Sequence, residues 1–307
     1  MIGVRLARVA VPLVAAVLIT SCIFGPDTSK PSPSPSESPT ASPGPTRPRL
    51  ELSTYQYALQ TKGKMRVGVR DNAAPMSARA SGGRYDGFEP DIAREIARAI
   101  WGPNEDPDAH IEWVSVDEST RVSALTSSQA DITIAALVID DDARKVIDLT
   151  DTYLRTGQRL LVKKSNEQIK EVVDVTTGDQ TVCAIKGSQA ELELGRVTND
   201  RAKVLPLDTL DFCVQALQSG AADAFTHDEL VLAGIVAKDP SVKIVGKPFT
   251  EKLLGIGIKK NVSADRQGFR EFVNTALLTI VANRTWAVIF EKDLTPVTGD
   301  RKQRPTD

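Results

Sequence analysis

A histidine and an aspartate stand side by side at the end of a short apolar segment in the second half of the chain. His227 and Asp228 follow residues 224–226, which are predicted to form a buried strand, and precede a helix predicted over 229–237. Open α/β sheets bind their ligands at the carboxyl ends of strands. A carboxylate there can bind an ammonium group, and the imidazole can donate or accept a hydrogen bond. A simpler interpretation also fits, in which Asp228 only caps the helix and His227 lies at a solvated rim.

The segment before this pair has a counterpart in the first half of the chain. Residues 216–223 (Ala-Leu-Gln-Ser-Gly-Ala-Ala-Asp) repeat the spacing of residues 124–131 (Ala-Leu-Thr-Ser-Ser-Gln-Ala-Asp). In both copies an Ala-Leu pair ends a predicted helix and an Ala-Asp pair opens a predicted strand. One copy in each half indicates two similar α/β lobes, although chance can also produce a single short repeat.

The composition narrows the class of protein. A chain of 307 residues is long enough for two domains with substantial cores. The formal net charge of −2, with both signs mixed along the chain, gives no reason to expect nucleic acid as a partner. Two histidines argue against a metal site built from histidine, and no cofactor is expected. Aromatic residues make up 5% of the chain, so a pocket must consist mainly of aliphatic and polar side chains.

The N-terminal residues are predicted to be a lipoprotein signal peptide over 1–22. Arg5 and Arg8 precede an apolar segment, residues 9–19, that is too short to span a bilayer, for which about 20 residues are needed. The final Ile-Thr-Ser-Cys resembles a lipobox with isoleucine at its first position, in which Cys22 becomes the acylated first residue. The mature protein is then exported and anchored to the outer face of the cytoplasmic membrane. The alternative is a plain signal peptide with an incidental cysteine.

Export gives a meaning to the segments and cysteines that follow. Residues 23–50 are rich in Pro, Ser and Thr and are predicted to be an extended tether. Outside the cytoplasm Cys183 and Cys213 can form a disulfide that closes a loop of about 30 residues and contributes about 3–4 kcal/mol. Two buried free thiols are the alternative.

Hydrophobic patterning places alternating strands and helices on both sides of a central pair of crossings. In the first half, the predicted elements are strands at 65–69, 111–114 and 131–135 and helices after Pro90 and over 119–127. Ile92, Ile96 and Ile100 recur at helical spacing on the first of these helices. In the second half, the predicted elements are strands at 181–185, 203–207, 223–226 and 242–245 and helices at 189–194, 209–218 and 229–237.

Two further strands are predicted to connect the halves. Residues 158–163 are interpreted as the crossing to the second lobe, and residues 254–258 as the return to the first, followed by helices at 265–282 and 285–292. The predicted organisation is lobe 1 at 51–162 and 250–295, lobe 2 at 163–249, and a flexible tail at 296–307. The fold class is therefore α/β, with two lobes joined by a two-strand hinge that can close on a small ligand.

The order of motifs resembles that of the family 3 extracellular solute-binding proteins, the amino-acid receptors of ABC importers. The resemblance runs from about residue 64 to 292 and implies the type II periplasmic-binding-protein fold. The His227-Asp228 pair resembles the glutamine- and glutamate-binding branch, and the placement of the cysteines resembles actinobacterial lipoproteins of the family. The resemblance rests on these segments: 66–71 (Arg-Val-Gly-Val-Arg-Asp), 87–91 (Gly-Phe-Glu-Pro-Asp), 123–132, 145–153, 186–188 (Lys-Gly-Ser), 216–228 and 255–260.

The resemblance implies roles for several residues. Asp228 matches the partner of the ligand ammonium. Gly187 and Ser188, which follow Lys186, match the turn whose backbone N–H groups meet the ligand carboxylate. Asp71 matches the acid after the first strand that lines the pocket. The corresponding structural roles, which remain open, are a helix cap, a turn glycine and a turn former at a strand end.

The chain also departs from the family pattern. The family has Thr-x-x-Arg after the third strand of lobe 1, and its arginine binds the α-carboxylate; here Arg144 comes one place late, after Asp140 in the threonine position. One residue rotates a helical side chain by about 100°, so Arg144 reaches the ligand only if the local loop compensates. Otherwise it is a surface charge. Val138 replaces a hydroxyl, and Glu118 replaces an aromatic residue that covers the ligand, so either a more weakly bound ligand or an altered one is expected.

The function implied is the capture of a polar amino acid (glutamate, glutamine, aspartate or asparagine) and its delivery to the permease of an ABC importer. The protein is expected to act as a monomer. The alternative is an amino-acid sensor that docks on a membrane signalling protein. Catalysis is not expected, because the sequence contains no Ser/His/Asp or Cys/His set beyond the isolated His227-Asp228 pair.

Overall fold

The structure, a computed structural model, describes residues 47–177, 179–260, 268–300 and 305. The predicted signal peptide, the acylation site Cys22 and most of the tether lie outside these residues. The last residues of the predicted tether pack on lobe 1, where Arg47 donates to the Gln60 carbonyl (2.6 Å) and Gln60 Nε2 donates to the Pro48 carbonyl (3.0 Å). The folded part of the chain therefore includes residue 47.

Lobe 1 is formed by the two ends of the described chain. Its elements are α1 (Tyr55–Lys62), β1 (Met65–Val69), β2 (Asn72–Ala73), β3 (Ser77–Arg79), β4 (Tyr85–Asp86), α2 (Phe88–Trp101), β5 (Ile111–Ser115), α3 (Ser123–Thr126), β6 (Ile132–Val138), α4 (Asp141–Val146) and β7 (Ile147–Thr156).

Lobe 2 follows, and the chain then returns to lobe 1. Lobe 2 contains β8 (Gln158–Lys163), β9 (Thr181–Ile185), α5 (Gln189–Thr198), β10 (Lys203–Leu207), α6 (Leu210–Ser219), β11 (Ala224–Asp228), α7 (Glu229–Lys238) and β12 (Val242–Val245). The return comprises β13 (Lys252–Lys259), α8 (Phe269–Ala282), α9 (Thr285–Asp293) and α10 (Thr295–Thr298).

The two main sheets follow the same plan. The sheet of lobe 1 has the order β5-β1-β6-β13-β7, and that of lobe 2 has the order β10-β9-β11-β8-β12. In each, the first three strands are parallel and the fourth runs antiparallel to both of its neighbours. The parallel strands therefore end at one edge of each sheet, where the connections to the following helices begin. A small antiparallel sheet, β2-β3-β4, lies beside β1.

Hydrophobic periodicity explains how the helices cover both faces of each sheet. Ile92, Ile96 and Ile100 on α2 are fully buried, which confirms the predicted face. Along β8, Leu161 packs with Phe225 in one cluster, while Leu160 packs in the cluster on the opposite side. Alternate strand residues point to opposite faces, so both sides of the sheet are apolar.

The repeat seen in the sequence has a structural cause. Asp131 accepts a hydrogen bond from the backbone N–H of Arg66 (2.7 Å), the second residue of β1. Asp223 accepts one from the backbone N–H of Thr181 (2.7 Å), the first residue of β9. Each aspartate also donates its own N–H to the carbonyl of that same residue. The Ala-Asp pair thus fixes the start of two neighbouring parallel strands in each lobe.

The crossings between the lobes are close together. Gln158 donates its backbone N–H to Thr250 Oγ1 (2.9 Å), and Phe249 donates its own to the Gln158 carbonyl (3.0 Å). A Cβ at Gly157 would lie only 1.9 Å from the carbonyl oxygen of Thr250, so this approach requires glycine. The predicted lobe boundary at 162 was placed too late, because β8 already pairs with β11 and β12 in the second sheet.

Two other expectations require correction, and one strand was not predicted. The helix predicted over 119–127 is only α3, because the carboxylate of Asp117 holds the preceding turn through hydrogen bonds to Ser119 and Thr120. The strand β7 was not among the elements predicted from the sequence. The tail predicted to be flexible from 296 forms α10, and its Asp300 pairs with Arg159 (2.7 Å), so the expectation does not hold for residues 296–300.

The disulfide between Cys183 and Cys213 is present and joins β9 to α6, with the Cα atoms 5.5 Å apart. Among the described residues, no single helix is long and apolar enough to span a bilayer. Only α8 and α9 taken together meet that criterion, and they are bent by 77° relative to each other.

Candidate functional site

A cleft of about 620 Å³ lies between the lobes beside the crossings. Lobe 1 contributes the residues after β1 and the end of β6, lobe 2 contributes α6, α7 and the end of β11, and β13 contributes its first residues. No Phe, Tyr or Trp occurs among the described residues that line it, which agrees with a pocket of aliphatic and polar side chains. A cavity of this size and position fits a small ligand.

Asp228 faces the cleft from the junction of β11 and α7. Its Oδ1 accepts from the N–H of Leu230 (3.1 Å), which caps α7, and its Oδ2 accepts from Lys252 Nζ (2.9 Å). The side chain is 17% exposed. Both interpretations of Asp228 are therefore compatible, because one oxygen caps the helix while the other faces the cleft.

His227 lies beside it and is uncharged at neutral pH. Burial, together with the nearby Lys252 ammonium, lowers the pKa of His227, and the negative charge of Asp228 opposes this only in part. Nδ1 accepts from the backbone N–H of Asp228 (2.8 Å), so the ring proton is on Nε2. The ring therefore offers a neutral N–H donor next to the carboxylate.

Two arginines line the lobe 1 side of the cleft. Arg121 donates through Nη1 to the carbonyls of Ala135 (2.7 Å) and Ala136 (2.9 Å), and its nearest carboxylate is the exposed Glu118 (3.4 Å). Among the described residues, Arg70 contacts one carboxylate, that of Glu89, at 3.4 Å. The Nε of each arginine is buried and has no hydrogen-bond acceptor within the part of the chain that the structure describes. Both guanidinium groups therefore have donor capacity that the protein does not use.

A buried carboxylate supports this wall. Glu89 is fully buried at the start of α2 and accepts from the N–H of Ala136 (2.7 Å) and the hydroxyl of Tyr153 (2.8 Å). Burial raises the pKa of Glu89, and the charge of Arg70 counteracts this. Ala136, which adopts a positive φ of 50°, accepts from Arg121 through its carbonyl. Glu89 is therefore connected to Arg70 directly and to Arg121 through Ala136.

The structure brings some of the sequence-predicted site residues together and leaves others apart. His227, Asp228, Val138 and Glu118 line the cleft. Arg144 does not: it is exposed on α4, where its backbone N–H donates to the Asp140 carbonyl (3.1 Å) and its own carbonyl accepts from Lys260 Nζ (2.9 Å). This position corresponds to the surface-charge alternative for Arg144.

Asp71 does not line the cleft either, although its neighbours Arg70 and Asn72 do. Its carboxylate accepts a hydrogen bond from the hydroxyl of Tyr85. Burial and this carboxylate raise the pKa of Tyr85 to about 12. Asp71 therefore holds the β2-β3-β4 segment against lobe 1.

The turn before α5 is satisfied by its own helix. The N–H of Gly187 donates to Glu191 Oε2 (2.6 Å), and the Oγ of Ser188 accepts from the N–H of Glu191 (3.2 Å). Lys186 is exposed and lines neither cavity. Ser188 lines a smaller cavity of about 240 Å³ that shares His227, Asp228 and Lys252 with the cleft. The predicted backbone site for a carboxylate is thus already occupied by Glu191.

Arg70, Arg121 and Lys252 were not identified as site residues from the sequence. Arg70 directly follows β1, and Arg121 follows β5, so the rule that selected Asp228, the carboxyl edge of a sheet, applies to both. Lys252 begins the return strand, and only its position at a crossing indicates a role. Within the residues that the structure describes, no group of three or more His, Cys, Asp and Glu side chains is arranged to hold a metal ion.

The order of elements, the two sheets and the cleft at the hinge agree with one family of proteins. Residues 65–295 match the bacterial extracellular solute-binding proteins, family 3, over about three quarters of the chain. The chain belongs to this family. Its fold is that of the type II periplasmic amino-acid-binding proteins, with two α/β lobes joined by two strands.

The chain is similar in sequence to amino-acid-binding proteins and in structure to a solved solute-binding protein. The chain is 30% identical over 236 residues to the ABC transporter glutamine-binding protein GlnH of Bacillus subtilis (strain 168), covering 76% of this chain and 82% of that protein. It is 25% identical over 238 residues to the glutamate-binding protein GluB of Corynebacterium glutamicum, covering 76% and 79%. Among solved structures it resembles an ancestral cationic amino acid solute-binding protein, AncCDT-1, with a TM-score of 0.63, 26% identity and coverage of 78% and 99%.

Proposed function

We propose that this family 3 protein captures a polar amino acid, one of glutamate, glutamine, aspartate and asparagine, in the cleft and delivers it to an ABC importer. The observation that carries the proposal is the arrangement of opposite charges across one cavity. Asp228 faces it from lobe 2, and Arg70 and Arg121 face it from lobe 1. A free amino acid carries one ammonium and one carboxylate, which require these two kinds of partner.

The proposed ligand set differs from the one that the sequence suggested. Asp228 binds the ammonium, His227 donates from Nε2, and Arg121 with Arg70 replaces Arg144 as the carboxylate partner. Val138 and Glu118 form part of the wall. Closure of the lobes about the crossings then removes a fully paired zwitterion from water, a condition under which burial of charge is tolerated.

The relatives support the transport role. One relative is named as an ABC transporter glutamine-binding protein and another as a glutamate-binding protein, so a polar amino acid as ligand and an ABC permease as partner are the roles proposed for this chain.

Binding without turnover is proposed, because the one candidate acid–base pair is not arranged for catalysis. His227 accepts the backbone N–H of Asp228 through Nδ1, and the Asp228 carboxylate is directed to Leu230 and Lys252. The carboxylate therefore does not orient the imidazole as it does in a catalytic triad. Recovery of the candidate amino acids unchanged after prolonged incubation with the protein is expected.

A thermal-shift and calorimetric screen of residues 23–307 against the common amino acids tests the proposal. A ligand at 100 times its Kd adds about 2.7 kcal/mol to the free energy of unfolding, which raises Tm measurably. A shift with at least one of the four polar amino acids, and none with alanine or leucine, is the expected result. If no amino acid raises Tm or gives a calorimetric signal, the proposed function is wrong.

We also propose that the protein is exported and anchored through an acylated Cys22. The family is extracellular by description, and the residues before Cys22 have the pattern of a lipoprotein signal. Replacing Cys22 by alanine should move the protein from the membrane fraction to the soluble fraction or to an unprocessed precursor. An unchanged membrane fraction with normal processing would contradict acylation at this residue.

A further inference from the structure

Lys252 is the first residue of β13, where the chain returns from lobe 2 to lobe 1. Its Nζ lies 2.9 Å from Asp228 Oδ2, and its side chain is 41% exposed. Lys252 lines both the cleft and the smaller cavity, together with Asp228 and His227. The ammonium group of the protein itself therefore stands where the proposed function places the ammonium group of the ligand.

Both carboxylate oxygens of Asp228 already have a partner within the protein. One of its oxygens caps α7 through the N–H of Leu230, and the other accepts from Lys252. A ligand ammonium that joins this carboxylate comes close to a second positive charge. Unless another negative charge enters with it, the two cations repel each other over a short distance.

The opposite wall increases this positive excess. Arg70 and Arg121 each contact one carboxylate among the described residues, at 3.4 Å, and the partner of Arg121, Glu118, is 89% exposed. Solvent screens such an exposed partner strongly, so it compensates the guanidinium only weakly. The charged side chains at the inner cleft are therefore three cations, Arg70, Arg121 and Lys252, against two shielded carboxyl groups, Asp228 and the buried Glu89 behind Arg70.

The other charged residues that line the cleft do not change this balance. Lys238 and Asp211 are exposed and of opposite sign. Asp239 accepts from Gln218 Nε2 (2.9 Å) and from both groups of Ser241, so its carboxylate already has three donors within the protein. The surplus of positive charge is thus located around Lys252 and the two arginines.

We propose that Lys252 makes this site selective for amino acids with a second carboxylate, glutamate or aspartate, over their amides. The inference rests on the proposed function of the cleft. The ligand ammonium binds Asp228, one ligand carboxylate binds the arginine wall, and the other shares Lys252 with Asp228. A dicarboxylic amino acid has a net charge of −1 and reduces this positive surplus, whereas glutamine and asparagine have no net charge and leave it unchanged.

The test is calorimetric titration of the protein (residues 23–307) with glutamate, aspartate, glutamine and asparagine, compared with the Lys252→Met and Lys243→Met variants. Methionine keeps an unbranched side chain, one atom shorter than that of lysine, and removes its charge. Lys243, on β12, is a matched control, because it lies outside the cleft and forms an ion pair with Glu167 (2.7 Å). Wild-type protein should bind the better dicarboxylic amino acid at least about tenfold more tightly than either amide.

Lys252→Met should weaken binding of that amino acid by at least about tenfold and should maintain or strengthen binding of its amide, which reverses the preference. Lys243→Met should behave as wild type. Tighter binding of an amide by wild-type protein, or an equal loss for acid and amide in Lys252→Met, would overturn the inference while leaving the proposed function intact. If Lys252→Met does not fold, the wild-type ranking alone decides. Binding of no amino acid at all would instead reject the proposed function.

Discussion

At the scale of single residues, Asp228 combines a structural and a binding role. One carboxylate oxygen satisfies an N–H at the start of α7, and the other faces the cleft. These roles can be separated by substitution, because asparagine is as good an N-cap as aspartate but carries no charge.

Asp228→Asn is therefore expected to leave Tm almost unchanged and to weaken amino-acid binding by at least about thirtyfold, which corresponds to about 2 kcal/mol. Calorimetric titration and thermal unfolding of the same sample measure the two effects. Asp211→Asn, at an exposed position of the cleft, should change neither. Retained binding in Asp228→Asn would remove this carboxylate from the ligand set.

The arginine that binds the ligand carboxylate is the second question at this scale. Arg121 lines the cleft, is held by two backbone carbonyls and has a buried, unpartnered Nε, whereas Arg144 is exposed on α4. Arg121→Gln should weaken binding by at least about tenfold, and Arg144→Ala should have no effect. Titration of both variants against the same ligand measures this. Loss of binding only in Arg144→Ala would show that α4 rearranges on closure and restores the family arginine.

At the scale of elements, the repeated Ala-Asp pair shows how one local device starts the sheet in each lobe. The two copies differ in burial. Asp131 is buried and binds Arg66 through its backbone N–H and its guanidinium and Tyr55 through its hydroxyl, whereas Asp223 is exposed and binds one backbone N–H.

This difference in burial predicts that substituting the two aspartates lowers the free energy of unfolding by different amounts. Asp131→Asn should lower the free energy of unfolding by about 2–4 kcal/mol, and Asp223→Asn by at most about 1 kcal/mol. Burial disfavours ionisation of Asp131, but hydrogen bonds from Arg66 and Tyr55 outweigh it and lower its pKa. Its contribution is therefore present above the ordinary pKa of aspartate and is lost as the pH falls through the lowered value. Urea unfolding between pH 3 and pH 7 measures both effects, and equal costs for the two variants would contradict this account.

At the scale of the whole molecule, the lobes are linked by more than the two crossings. The α10 segment follows α9 of lobe 1, and its Val297 packs into the core of lobe 2. Arg159, buried on β8, pairs with both Glu229 at the start of α7 (2.5 Å) and Asp300 after α10 (2.7 Å). Two carboxylates therefore share one guanidinium beside the hinge.

The shared cation makes stability depend on pH. Burial, together with the charge of Asp300, raises the pKa of Glu229 to about 7, although Arg159 opposes this. The unfolded chain releases this proton near pH 4.3, so between that pH and the raised pKa the folded state binds more protons and its stability falls as the pH rises. Glu229→Gln should flatten this part of the profile in urea unfolding at pH 5, 6, 7 and 8. Glu167→Gln, which changes an exposed carboxylate on lobe 2, should leave it in place, and an unchanged slope in Glu229→Gln would contradict the assignment.

The sequence by itself determined most of the secondary structure and the class of fold. The strands predicted at 65–69, 181–185, 203–207 and 242–245 have the observed bounds, because short apolar segments between turn residues permit few alternatives. Ile92, Ile96 and Ile100 defined the buried face of α2 for the same reason. The position of Asp228 at the end of a strand, and its cap on α7, also followed from local pattern.

Only the tertiary structure decided which charged side chains meet. Arg144 is near the family position in sequence and outside the cleft in space, since a shift of one residue turns a helical side chain away. Arg121 and Lys252 reach the cleft from a turn and from a crossing strand that are far from Asp228 along the chain. Local sequence does not encode the distance between such groups. The pairing of β8 with β11 sets Asp228 opposite Gln158, and the approach of Gly157 to Thr250 brings the return crossing, with Lys252, to the same place.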